Sequence, residues 1–287
     1  MTPLELVINY NYSGQDIKTP MGNAVPAATA ERSGLLEIET VGAVLSVGLN
    51  RPAKRNALND GIILAIQDCF SNLPDGIGAV VIHGIGDHFS SGLDLSELTE
   101  HDATDGLLHS QMWHRVFDRI QYSRVPVIAA LKGAVIGGGL ELACAAHIRV
   151  AEPSAYFALP EGQRGIFVGG GGSVRLPRLI GVARMTDMML TGRVYSATEG
   201  AAYGFSQYLT EAGGALPKAM ELAERVAANA PLTNFAVLQA LPMIAEANPQ
   251  AGLLMESLMA TVAQSDKEAK RRIRAFLDRK TAKVKPS

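Results

Sequence analysis

The chain has 287 residues, 47% hydrophobic and 19% charged, enough apolar material for a sizeable core in one large domain or two small ones. A net charge of −2 removes the electrostatic case for nucleic acid as the main partner. No apolar run reaches the ~18 residues that a membrane span needs. The two cysteines, Cys69 and Cys144, sit in apolar, helix-like contexts and read as buried thiols of a reducing compartment, so a cytoplasmic location is expected.

Residues 1–33 have the composition of a tail or linker. They carry Asn9, Asn11, Ser13, Gly14, Pro20, Gly22, Asn23 and Pro26 with little periodicity. No basic stretch precedes an apolar core there, so a secretory or transit peptide is not expected. From Gly34 the pattern sharpens. Leu36 and Ile38, then Leu45, Val47 and Leu49, alternate across a turn near Gly42 and predict a β-hairpin. Asn56 or Asn59 is placed to cap a helix whose apolar positions include Ile62, Ile63, Ile66 and Phe70. Val80-Val81-Ile82 reads as a buried strand, and a loop then leads into the stretch from His88 to Leu95. Residues 97–125 read as a polar loop and a helix with Trp113, Val116, Phe117 and Ile120 on one face. His101, His109 and His114 lie in this region without metal-ligand company and read as surface histidines.

The stretch from Pro126 to Pro177 holds the densest signal. An apolar strand, Val127 to Leu131, is followed by Ala134-Val135-Ile136 and three glycines, Gly137 to Gly139. The helix that begins there carries a single carboxylate, Glu141, in its first turn. First-turn N–H groups have no partner inside a helix, and the helix dipole adds partial positive charge. An N–H near Gly138 can therefore stabilise a developing oxyanion, while the plain reading of Glu141 is a carboxylate favoured by the dipole. A second strand, Ile148 to Ala151, leads to Phe157, Glu161 and a second glycine run, Gly169 to Gly172. The rest is helical, with helices expected over Leu216–Asn229, Asn234–Ile244 and Leu253–Phe276. A methionine stripe, Met185, Met188 and Met189, reads as core. The basic run Lys267, Lys270, Arg271, Arg272 and Arg274 sits next to Asp266 and Glu268 and reads as a solvated face or a subunit edge.

Three clusters together, Phe89-x-x-Gly92-x-Asp94-Leu95, Gly137-Gly138-Gly139-x-Glu141-Leu142-Ala143 and Phe157-x-x-Pro160-Glu161 followed by glycines, resemble the crotonase (enoyl-CoA hydratase/isomerase) superfamily. The resemblance runs from about Gly34 to the C-terminus. It implies an α/β fold, a crotonase-like spiral of repeated ββα units with a C-terminal helical oligomerisation region. Its expected divisions are 1–33 as a flexible extension, 34–210 as the core and 211–287 as the trimerisation region. Arg51 to Leu58 is similar to the family's coenzyme A loop, with Lys54 and Arg55 facing phosphates and backbone near Ala57 meeting pantetheine and adenine. Phe276 and Lys280 correspond to positions that reach a neighbouring subunit's coenzyme A. Met112 and Trp113 are candidate walls of the acyl pocket.

The resemblance also implies a chemistry. Water attacks Cβ of a 2-enoyl thioester, and two backbone N–H groups, those of Leu93 and Gly138, hold the enolate oxygen. Glu141 matches the base that activates water, Glu161 matches the acid that protonates Cα, and the Gly169 N–H resembles one that seats the water. No metal or cofactor is implied, since coenzyme A is part of the substrate. The partners implied are an acyl-CoA thioester and further copies of the chain, in a homotrimer or homohexamer. Retention of both glutamates favours a hydratase. Val168 stands where a proline is common, beside the bulky Phe167, so an isomerase or an aromatic enoyl-CoA hydratase-lyase is the second reading. A non-catalytic RNA-binding or partner-binding protein of the same fold is the reading of a different class. His147 stands where the family often has Asp.

Overall fold

The computed structural model describes residues 34–97 and 102–278. The N-terminal extension, His101 and Lys280 lie outside the described residues.

Strands β1 (Leu36–Val41) and β2 (Val44–Leu49) form the expected hairpin, with Gly42 at φ +59° in the turn. β2 then starts a parallel run through β3 (Ala79–Gly84), β4 (Val127–Leu131), β6 (Ile148–Ala151) and β9 (Tyr208–Leu209), in the order β1-β2-β3-β4-β6-β9. A smaller sheet, β5-β7-β8, joins β5 (Ala134–Ile136) in parallel to β7 (Tyr156–Ala158), with β8 (Tyr195–Ser196) antiparallel.

The central strands are buried on both faces, which explains their continuous apolar runs. Side chains alternate between the faces. Leu45, Val47, Val80, Ile82, Val127 and Ala129 join one core with helices α1 (Asp60–Ser71) and α2 (Ala103–Gln121). Val44, Ala79, Val81, Ile128, Ala130 and Val150 join a second core with Ala215, Ala219, Leu222 and Ala223 of a helix over Ala215–Ala227. Asn59, rather than Asn56, caps α1, its side chain accepting from the Ile62 N–H. Asp102 caps α2.

Helix α3 (Gly138–Ala145) follows β5, and α4 (Gly172–Ile180), α5 (Val182–Thr191) and α6 (Ala197–Tyr203) follow β7. Met185 and Met188 are core residues. The helix over Ala215–Ala227 is α7. It leads to α8 (Pro231–Phe235), a π-helical turn over Ala236–Ala240, α9 (Leu241–Glu246), α10 (Pro249–Ser265) and α11 (Lys267–Leu277). The single helix expected over Leu253–Phe276 is thus two. Asp266 leaves helical geometry at φ −63°, ψ 142°, and its carboxylate accepts from the Glu268 and Ala269 N–H groups, starting a new helix. On α10, Leu254 is 62% and Leu258 58% exposed, so the apolar face of this helix lacks cover within the described chain. The basic run on α11 is partly self-paired, with Glu268 bonding Arg271 and Arg272.

His147 fills its place as a neutral ring. Its Nδ1 accepts from the Val127 N–H at 2.9 Å and its Nε2 lies 2.9 Å from the Gln121 carbonyl, joining the end of α2 to the start of β4. Burial pushes its pKa down. Both cysteines are free thiols, and burial raises each to about 11. No described helix is long and apolar enough to cross a membrane.

Candidate active site

A cavity of about 290 Å³ opens where the two sheets' C-terminal loops meet α2 and α3. It gathers Leu93, Gly138, Glu141, Glu161, Gly169 and Trp113, six residues expected from the sequence to work together.

The first wall is bare backbone. Leu58 and Leu93 form an isolated parallel bridge through Leu58 N–H to Gly92 O and Asp94 N–H to Leu58 O. The Leu93 N–H takes no part in that bridge. Gly138 opens α3, where N–H groups have no helical acceptor. Neither N–H donates to a backbone carbonyl among the described residues. The two are close, since a Cβ on Gly138 would lie 3.5 Å from Leu93 N. The approach demands glycine. A Cβ on Gly138 would meet Trp113 Cζ3 at 2.8 Å, and one on Gly92 (φ +86°) would meet Ile136 O at 2.6 Å. Paired main-chain N–H groups at such a point can hold a negative oxygen.

Two buried carboxylates lie beside them, in different environments. Glu141 is 3% exposed, and its Oε1 accepts from Gly170 N–H at 2.8 Å and Gly172 N–H at 2.7 Å. Desolvation pushes its pKa up, and these two N–H groups and the Arg175 charge pull it back. A Cβ on Gly172 would collide with it, 2.8 Å from Glu141 Cγ, and one on Gly170 would crowd it at 3.2 Å while striking Phe117 at 2.9 Å. Glu161 follows β7 and is 8% exposed. Its Oε1 lies over Gly137, where an added Cβ would come within 2.6 Å. Its Oε2 has no hydrogen-bond partner among the described residues. Desolvation raises Glu161 to about 7. One carboxylate is thus gripped by donors, while the other is poised near neutrality, a pairing suited to a base and an acid.

Helix α2 forms the opposite wall through Gly106, His109, Ser110 and Trp113. Met112 does not line the cavity and packs on the core instead. Successive helical residues point about 100° apart, and the rotation of α2 turns Trp113 to the cavity and Met112 to the core. His109 bonds Asp60 at 2.8 Å and lies against the Trp113 ring. Gly169 lines the cavity, and its carbonyl accepts from Ser110. Ile166, Phe167 and Val168 complete the rim, with Phe167 69% exposed. No cluster of three or more potential metal ligands occurs among the described residues.

The candidate coenzyme A loop is tightly built. Arg55 and Asn56 both adopt left-handed φ, 51° and 54°. Asn56 is fully buried, accepting from Arg51 N–H and donating to Ile85 O and His88 O. Arg51 bonds the Ala57 carbonyl and pairs with Asp94 at 3.0 Å. The Ser96 hydroxyl, first of several donors, holds Asp94 down to about 2. Lys54 is exposed and reaches Ser96 Oγ at 2.8 Å, and Arg55 is exposed. The Ala57 N–H donates to Lys54 O, so this backbone is already spoken for internally. Arg51, Asn56 and Asp94 were not expected as loop-builders. Phe276 lies on α11, 58% exposed.

A family model described as enoyl-CoA hydratase/isomerase matches residues 39–286. The 2,3-dehydroadipyl-CoA hydratase of Escherichia coli K12 is 35% identical over 246 residues, covering 84% of this chain and 95% of that protein. The short-chain-enoyl-CoA hydratase of Clostridium acetobutylicum is 30% identical over 246 residues, covering 85% and 94%. A crystal structure from Rhodopseudomonas palustris CGA009, provisionally described as an enoyl-CoA hydratase, is 81% identical at a TM-score of 0.85, covering 87% of this chain and 97% of that one.

Proposed function

The chain belongs to the enoyl-CoA hydratase/isomerase family, and we propose that two glutamates and two backbone N–H groups are the machinery with which it hydrates a 2-enoyl-CoA thioester. The observation that carries this reading is the pair of unlike buried carboxylates in one cavity with the Leu93 and Gly138 N–H groups.

The thioester carbonyl is seated on those two N–H groups. Glu141 takes a proton from water as the oxygen adds to Cβ. The electron pair of the double bond moves onto the thioester oxygen, and the N–H pair holds the enolate charge. Glu161, protonated, gives its proton to Cα as the enolate collapses. The Gly169 N–H helps seat the attacking water. Trp113 bounds the acyl group, and Phe167 and Val168 shape its exit.

Lys54 and Arg55 offer cations to the coenzyme A phosphates, while from a neighbouring copy Phe276 packs against the adenine and Lys280 meets a phosphate. The uncovered apolar face of α10 supports assembly into a trimer or a dimer of trimers. The free thiols, Cys144 buried and Cys69 half-buried, fit a reducing cytoplasm.

The test is a spectrophotometric screen at the enoyl-thioester absorbance, across short, long and aryl enoyl-CoAs, with Glu141→Gln and Glu161→Gln beside the wild type. Hydration of at least one substrate, lost by about two to four orders of magnitude in both variants, is the expected result. Hydration at wild-type rate by either variant overturns that residue's role.

A further inference from the structure

Arg175 is a buried cation that the reaction as described does not use. It stands on α4, 8% exposed, behind the loop that holds Glu141. Each branch of its guanidinium has a partner. Nε donates to Gln121 Oε1 at 2.6 Å, Nη2 to Asp118 Oδ1 at 2.5 Å and Nη1 to the Gly170 carbonyl at 3.0 Å. Gln121 and Asp118 belong to α2, and Gly170 belongs to the loop whose N–H groups bond Glu141. Gly171, between the two donor residues, sits at φ +92°, and a Cβ there would lie 2.3 Å from Arg175 Nη1. The guanidinium therefore occupies the space directly beneath this turn.

We propose that Arg175 is a positioning residue for hydration, forking between α2 and the Gly170–Gly172 turn so that two main-chain N–H groups stay aimed at Glu141. This rests on the reading of Glu141 as the base. A lysine cannot replace it, because the three bonds leave in the fixed plane of a guanidinium. Its charge also opposes the desolvation of Glu141. The other charged or titratable groups around Glu141 are Glu161 and Arg164 from the segment after β7, His109, His114 and Asp118 from α2, and Cys144 on its own helix, with Arg149 behind it. Of these cations, Arg175 is the one bonded to the Glu141 loop.

The experiment compares Arg175→Met, Arg175→Lys and Glu141→Gln in the full-length enzyme, on the best enoyl-CoA of the screen. Folded Arg175→Met should lose about 100-fold in kcat, as for a catalytic group displaced by an ångström. Its KM should stay near the wild-type value, and the acid limb of kcat/KM should move to higher pH. Arg175→Lys, which keeps the charge and loses the fork, should keep the wild-type limb and still lose kcat. A merely structural role would lower thermal stability with kcat and the pH profile of the folded protein unchanged, and that result overturns the proposal. If Arg175→Met does not fold, Arg175→Lys decides, and wild-type kcat there overturns it. Near-wild-type hydration by Glu141→Gln would instead remove the base assignment and the proposal with it. An inactive Glu141→Gln beside an unperturbed Arg175→Met would remove the positioning role alone.

Discussion

Replacing Glu161 by Gln should cost activity and return stability. The carboxyl is 8% exposed, its Oε2 is unpartnered among the described residues, and burial raises it from 4.5 to about 7. The sign follows from proton binding. The folded state holds this proton more tightly than the unfolded chain does, so folding is favoured below pH 4.5 and that benefit is lost as pH rises through about 7. At about 1.4 kcal/mol per pH unit the whole effect is about 3 kcal/mol, and solvent at the cavity mouth screens it to ~1–2 kcal/mol. Glutamine keeps the shape and cannot ionise. Thermal melts at pH 5 and pH 8 should therefore show the variant gaining on the wild type much more at the higher pH. Hydration needs the protonated acid, so wild-type kcat/KM should fall as pH rises through about 7, and dehydration should show the opposite limb. The variant should lose about two to four orders of magnitude in both directions. An equal stability difference at both pH values would refute the buried, desolvated acid, and a wild-type rate would refute its use.

Other outcomes follow from the same geometry. Gly138→Ala adds a Cβ 2.8 Å from Trp113 and keeps the N–H, while Gly138→Pro adds the Cβ and removes the N–H, so kcat of folded Gly138→Pro should fall below that of Gly138→Ala by about 2.7–4 kcal/mol in the transition state. Leu93→Ala keeps its N–H and should change acyl-chain preference more than the best rate. Gly172→Ala places a Cβ 2.8 Å from Glu141 Cγ, so kcat should fall while KM is preserved, and an unchanged kcat would show that the carboxylate has room to move. Leu254→Glu with Leu258→Glu should shift light scattering from an assembly to a monomer and raise KM for acyl-CoA, whereas a wild type that is already monomeric would remove the shared site.

Local chemistry made much of this legible in the sequence. The hairpin, α1 and the glycine-led α3 each follow from short-range rules of alternation, capping and backbone freedom. Glu141 and Glu161 were visible because each stands in a motif. Arg175 was not, because two of its three partners, Asp118 and Gln121, are separated from it by over fifty positions on another helix. Asn56 looked like a helix cap, and only the fold shows its amide holding two distant carbonyls. Met112 and Trp113 are neighbours in sequence, and which of them faces the cavity depends on how α2 rotates on the core. The break at Asp266 was hidden because the apolar pattern runs on past a residue that also caps well.

The unpartnered Oε2 of Glu161 has an isotopic consequence. In the dehydration direction the proton taken from Cα arrives on a carboxyl whose Oε2 has no hydrogen-bonded relay among the described residues. Glu161 lines the cavity that the enoyl chain would fill, so the proton's exit runs past bound product. A label placed at Cα should therefore be held until product departs, and part of it should return to the same carbon when the reaction reverses. The enzyme would keep a short memory of the hydrogen it removed, measurable as label retained in recovered substrate and erased as product release becomes faster than reversal.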